Sequence, residues 1–308
     1  MRLYRDHLSD YSTWKEKEHA HDWLIFPNNV GENLSIDEVA ISNGELYTIV
    51  TNKAALGKKG ALVAIVKGTK VAYVTDKICQ IPLEIRLKAC TITRDLADTM
   101  TQISINCFPN AIQIDDRFHV QQLVSEALQE VRIGFRKEAI KEHNNAIKEA
   151  RKENKNYWPP RYLENDETKK EMLARSRYLL YKSSGKWSDG QIERSQILFR
   201  EYPILKEAYD LTMHFRGIYE NTKWREKAKP KLEKWYSSVE KRLERLPSFE
   251  TPLETIRLNE DTIINYFEGR LTNASAESFN SKIKGFRSVL RGVADIKFFM
   301  YRVSVLFG

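Results

Sequence analysis

Three apolar runs, joined by links too short for a crossover, do most to constrain the fold of this chain. Residues 33–42 ("NLSIDEVAIS"), 45–52 ("ELYTIVTN") and 61–68 ("ALVAIVKG") read as strands. Asn43-Gly44 joins the first two, and the glycine- and lysine-rich "KAALGKKG" joins the second to the third. Such short links give antiparallel neighbours, because parallel ones need a crossover of a dozen residues or more.

Farther along, the pattern changes. Asp76 is expected to cap a helix running to about Ala89, with Pro82 an awkward fit, and residues 90–96 ("CTITRDL") form a short strand. Leu96, Met100, Ile103 and Cys107 then recur at helical spacing until Pro109-Asn110, and "AIQIDD" (111–116) is a fifth strand. A long amphipathic helix follows through Val120, Leu123, Val124, Ala127, Leu128 and Val131. The order β-β-β-α-β-α-β-α predicts an α/β fold: three antiparallel strands, then parallel ones, with helices on both faces. An RNase H-like core fits that order.

The chain has 308 residues, 42% of them hydrophobic, which is enough to bury a substantial core. No run approaches the 18 apolar residues of a membrane span, and the start "MRLYRDHLSDYSTW" reads as neither signal peptide nor presequence; a soluble, cytoplasmic protein is expected. Cys79, Cys90 and Cys107 are isolated, which excludes a zinc ribbon and a disulfide framework. The net charge is +8, and the excess of cations lies behind residue 120. It suits either a polyanionic partner or a basic surface tuned for solubility. Residues 120–265 read almost wholly as helix, with the clearest break at "YWPPRYLENDE" (157–167). Trp158, Trp187, Trp224 and Trp235 are expected to pack in its core; a stacking platform for unpaired bases is the alternative.

Asp37 stands among Ile36, Val39 and Ile41, where an ionised group is costly unless paired, protonated or bound to a metal. In a mixed sheet it would lie beside Asp95, which ends the fourth strand. Two such carboxylates repel, and a divalent cation is the ordinary remedy. A third acid is offered by "NASAESFNSKIKGFRSVLRGVADIKFF" (273–299). There Phe279, Ile283, Phe286, Leu290 and Val293 make one apolar stripe, while Glu277, Asn280, Lys284, Arg287 and Arg291 occupy another face. An acid for metal followed by cations for phosphate suits the cutting of nucleic acid. A solvated face with an acid in the first helical turn explains the same residues.

"SIDEVAISNGELYTIVTN", "KGALVAIVKGT", "TITRDLADTM", "FPNAIQIDDRFHV" and "RLTNASAESFNSKIKGF" together resemble the catalytic domain of insertion-sequence transposases of the ISL-three family, over roughly residues 33–308. These are DDE enzymes with an RNase H-like fold. The resemblance implies that Asp37, Asp95 and Glu277 are the catalytic, metal-holding triad, with two Mg²⁺ ions and Mn²⁺ as a substitute. It makes Asp116, Arg117 and His119 supporting residues, with approach to the metal from the end of the fifth strand as the alternative for Asp116 and His119 either structural or catalytic, and leaves Asp76, Asp98 and Asp115 as capping or surface acids. Asn280, Lys282, Lys284, Arg287 and Arg291 are candidate DNA contacts. The implied activity is cleavage at transposon ends and strand transfer into target DNA. A nuclease without strand transfer and a non-catalytic DNA-binding remnant are the rival readings. The implied organisation is a lead-in (1–32), a first part of the catalytic core (33–120), a helical insertion (121–268) and the final helices (269–308). Relatives carry an amino-terminal zinc-binding and helix-turn-helix region for which residues 1–32 are too few. Either a separate DNA-binding polypeptide is expected as a partner that supplies end recognition, or the chain is a truncated copy; a homodimer or higher assembly on DNA is expected.

Overall fold

The computed structural model describes residues 2–42, 44–162, 164–289 and 292–308, so Asn43 of the expected turn, Leu290 and Arg291 lie outside the described residues. The chain divides into two compact units: Met1–His119 with Asp261–Gly308, and Val120–Glu260.

The first unit is built on β1 (Trp23–Ile25), β2 (Asn33–Ser42), β3 (Glu45–Asn52), β4 (Leu62–Lys67), β5 (Thr91–Arg94) and β6 (Ile112–Asp115). They form one sheet in the order β1-β4-β3-β2-β5-β6. The β1–β4, β4–β3 and β3–β2 pairs are antiparallel, whereas β2–β5 and β5–β6 are parallel. This is the RNase H-like mixed sheet expected from the order of elements. The edge strand β1 was not anticipated, since three residues are too few to display alternation.

Side-chain alternation sends the two sides of β2 into different cores. Leu34 and Ile36 pack with Val50, Val66 and Ile92 against Val74 and Ile78 of the Val71–Ile78 helix and against Met100, Ile103 and Cys107 of the Asp98–Cys107 helix. On the opposite face, Val39 and Ile41 pack with Tyr47, Ile49 and Ile65 against Phe279 and Ile283 of the Ala274–Val289 helix and Phe299, Met300 and Val303 of the Ile296–Phe307 helix. Burying each such side chain is worth about 1.5–3 kcal/mol, and a one-residue slip would exchange the two sets. The register of β2 is therefore firmly set, and with it the direction in which Asp37 points.

The helix expected from Asp76 to Ala89 is instead two, Val71–Ile78 and Leu83–Arg86, with Pro82 as the N-cap of the second. Proline lacks the N–H that a continuing helix needs, so it opens a new helix here. Asp76 lies inside the first helix, paired with Lys77 at 3.0 Å, and caps nothing.

The second unit is helical, its longest elements being Asp189–Glu201, Pro203–Glu220, Arg225–Glu240 and the greater part of Arg117–Lys152. Trp235 is fully buried, with Nε1–H donating to Leu211 O at 3.0 Å, and Trp187 is half-buried with its N–H on Leu179 O at 2.9 Å. Trp158 and Trp224, however, are 82% and 66% exposed, contrary to the expectation that all four pack inside. Among the described residues, no helix is long and apolar enough to cross a membrane.

Candidate active site

Ser35, Asp37 and Val39 of β2 project from the face that carries the Ala274–Val289 helix, and the parallel register extends that face to β5. Ser35 pairs with Thr93, a separation of 58 positions, and the same separation places Asp95 beyond Thr93 on the line through Asp37. Ser35 Oγ lies 3.0 Å from Thr93 Oγ1 and 3.2 Å from Ser275 Oγ, a short polar ladder between two strands and the start of the helix.

Three contacts set where that helix begins. Thr93 Oγ1 donates to Asn273 Oδ1 at 3.2 Å, Asn273 N–H donates to Asp116 Oδ1 at 2.9 Å, and Lys53 Nζ donates to Thr272 O at 2.8 Å. Asn273 is completely buried. One turn on comes Glu277, exposed in the first turn, and then Asn280, which is buried and donates from Nδ2 to Asp37 Oδ2 at 2.8 Å and to Glu38 O at 3.2 Å. Residues 273, 277 and 280 are spaced by 4 and 3 and share one helical face. Asn280 was anticipated only as a DNA contact; its spacing from Glu277 was the signal that it faces the same acids.

The electrostatics centre on Asp37. Its Oδ1 accepts the Glu38 N–H at 2.8 Å. Burial pushes its pKa up to about 6; that hydrogen bond and the charge of His119 oppose the rise, while Asp95 and Glu277 add to it. Neither Asp37, Asp95 nor Glu277 forms an ion pair among the described residues. Asp95 accepts the Ala97 N–H at 3.1 Å, just before the Asp98–Cys107 helix.

Asp116 is governed differently. Burial would raise its pKa, but hydrogen bonds from His119, Asn273 N–H and Phe118 N–H, with the charge of His119, hold it below the ordinary carboxylate range. His119 Nδ1 lies 3.3 Å from Asp116 Oδ2; that contact raises the imidazole's pKa against the opposing effect of burial, and Asp95 and Asp37 raise it further. His119 thus lies beside the acid cluster, in surroundings that favour its protonated form. Arg117, next to it, is partly exposed. Lys53 is pushed down to about 8 by burial, against the attraction of Asp116.

The competing acids separate by position. Asp98 is exposed in the first turn of its helix. Asp115 is no surface acid: it is wholly buried, 2.6 Å from Arg94 Nη1, and Thr262 Oγ1 donates to its Oδ2. Sequence reasoning had no means of seeing this, because Arg94 becomes its neighbour only through the β5–β6 register. Of the candidate DNA contacts, Lys284 is exposed and Arg287 partly so; with Ser288 and Gly292 they line a shallow depression. Lys282 is engaged elsewhere, its Nζ donating to Gly57 O at 2.8 Å and Leu56 O at 3.3 Å. Glycine suits position 57, whose φ of +67° is a backbone conformation that L side chains rarely adopt.

Three carboxylates without a lysine or arginine partner offer the oxygen donors that Mg²⁺ or Mn²⁺ prefers. The buried Asn280 Oδ1 also lacks a partner. Among the described residues no group of three or more His, Cys, Asp or Glu side chains is set to hold a metal ion. The fit is therefore one of charge and donor chemistry, in an open acidic cluster that a cation would have to gather.

The family model for transposases of the ISL-three DDE type matches residues 34–303. No curated protein matches the chain.

Proposed function

Because the chain belongs to the ISL-three family of DDE transposases, we propose that Asp37, Asp95 and Glu277 are its catalytic acids and that it cleaves and joins DNA strands with Mg²⁺. Transposition is the family's activity, and DNA is the substrate that it implies. The supporting observation is the state of Asp37. It is an acid in a sheet centre, raised by burial and by two neighbouring acids, and held only by neutral donors. A group in that state costs stability, and a bound cation is the ordinary reason to keep one.

In this reading the three acids would hold the divalent ions, two Mg²⁺ with Mn²⁺ as a substitute, which would supply Lewis-acid stabilisation of the phosphoryl oxygens. Asn280 and the Glu38 N–H orient Asp37. The clamp of Lys53, Thr93 and Asp116 on residues 272–273 sets the height of Glu277 over the sheet. His119, when protonated beside Asp116, would moderate the repulsion among the acids. Lys284 and Arg287, farther along the face of Glu277, are suited to the phosphate backbone. The freed 3′-hydroxyl is the nucleophile for joining, so no side chain need form a covalent intermediate. Pairing of two transposon ends would bring two copies of the chain together.

The test is cleavage of end-containing duplex in Mg²⁺, followed by strand transfer from pre-cleaved ends. Asp37→Asn, Asp95→Asn and Glu277→Gln should each bind DNA and fail to cut. Wild-type cleavage by all three would refute the assignment. Cleavage without joining would favour a plain nuclease, and binding without either a non-catalytic remnant.

A further inference from the structure

The Arg225–Glu240 helix of the second unit buries Ala228, Leu232, Trp235 and Val239, at steps of 4, 3 and 4. Beside that stripe run Lys227, Lys231 and Lys234, at steps of 4 and 3, and Lys223 lies just before the N-cap. Lys223, Lys227 and Lys234 are exposed and have no ion pair among the described residues. At the head of this row, in the N-cap position, is Trp224, 66% exposed.

Trp224 is presented on a fixed stem. Lys231 Nζ reaches back to donate to Asn221 O at 3.0 Å and Thr222 Oγ1 at 2.9 Å, tying the preceding turn to the helix. Thr222 is buried, Trp224 has extended backbone, and its carbonyl accepts the Lys227 N–H at 3.1 Å. Leaving an indole in water forfeits one of the largest gains in burial that a side chain offers. Holding it there on an ordered segment removes the entropic cost of ordering it on binding. An aromatic face followed by a row of unpaired lysines matches an unpaired base followed by its phosphates, and not an apolar protein groove, which would have to desolvate the lysines.

We propose that Trp224 is a stacking platform for an unpaired base of DNA, with Lys223, Lys227 and Lys234 on the adjoining phosphates. The proposal rests on the reading that the protein acts on DNA, and it adds a single-strand site on the helical unit. Trp158, more exposed still, lies in the "YWPPR" segment, whose only cation is Arg161, bonded to Asp166 O. It lacks the cationic row and serves as the comparison.

The experiment titrates the intact chain with a labelled single-stranded oligonucleotide and with its duplex, over a series of salt concentrations. Trp224→Ala should weaken single-strand binding about 5- to 150-fold, the range for one base stack, while duplex binding changes little. Trp224→Tyr should restore most of the loss, and Trp158→Ala should cause none. Lys227→Gln and Lys234→Gln should each flatten the single-strand salt slope by about 0.7. Wild-type duplex binding with unchanged single-strand affinity in Trp224→Ala would overturn this proposal alone. An equal loss on both substrates, without rescue by tyrosine, would also overturn it. If the wild-type chain bound neither substrate, the reading on which it rests would fall too. Since the indole is exposed, the melting curve of Trp224→Ala should match that of the wild type and confirm that folding is unchanged.

Discussion

Asp37→Asn should make the catalytic unit more stable while destroying its activity. The carboxyl is raised from 3.8 to about 6, with burial as the largest cause and the charges of Asp95 and Glu277 adding to it. Between about pH 4 and 6 the native state therefore binds more protons than the unfolded chain, so stability falls as pH rises through that window. Above pH 6 the whole cost is present, about two pKa units or roughly 3 kcal/mol. An amide carries no charge and escapes it. Its oxygen can keep the Glu38 N–H, and its NH₂ can face Asn280 once that side chain turns its unpartnered Oδ1 forward. Turning Asn280 gives up the 3.2 Å bond to Glu38 O, about 1 kcal/mol. The net expectation at pH 7 in EDTA is a gain of about 2 kcal/mol, which moves the midpoint up by roughly 4–8 °C for a domain of this size. With two units in the chain a single global transition is not assured, so hydrogen exchange at β2 and β3 amides is the direct readout. The difference should shrink at pH 4. Added Mg²⁺ should stabilise the wild type and leave Asp37→Asn unmoved. If the variant is no more stable than wild type at pH 7 in EDTA, or its advantage persists at pH 4, the charge argument is wrong.

Two further outcomes follow from buried charges. Arg94→Met leaves Asp115 ionisable and unpaired in the core and should cost about 3–5 kcal/mol, whereas Arg94→Met with Asp115→Asn should recover much of it; exchange at β5 and β6 amides reads both. Lys53 has its native pKa lowered from 10.5 to about 8, so the unfolded chain binds more protons between those values and stability should rise with pH across them. Lys53→Met should abolish that rise, worth at most about 3 kcal/mol, in denaturant midpoints measured from pH 7 to 11; a rise of wild-type size in the variant would show that Lys53 is not its source.

What could be read in the sequence was local or obeyed a parity rule. The three antiparallel strands followed from their short links, and the face of Asp37 followed from the two-residue period of β2. What could not be read was set by contacts between distant segments. A helical wheel places Asn280 beside Glu277, but its burial against Asp37 depends on how closely Phe279 and Ile283 seat the helix on Val39 and Ile41. Asp115 was expected as a capping or surface acid and proved to be Arg94's partner, because the β5–β6 register sets the two side by side, while Asp116, just past the end of β6, meets Asn273. The tryptophans divide in the same way. Trp235 is internal because it continues the spacing of Ala228 and Leu232 inside the helix, whereas Trp224, four positions before Ala228 and on the same spacing, sits at the N-cap with extended backbone, so the helical period no longer sets its direction. The helix boundary therefore decided which tryptophan packs inside, and neither bulk hydrophobicity nor spacing alone did. The tryptophan left outside the helix, held on an ordered stem beside exposed lysines, is the one proposed above to meet a base.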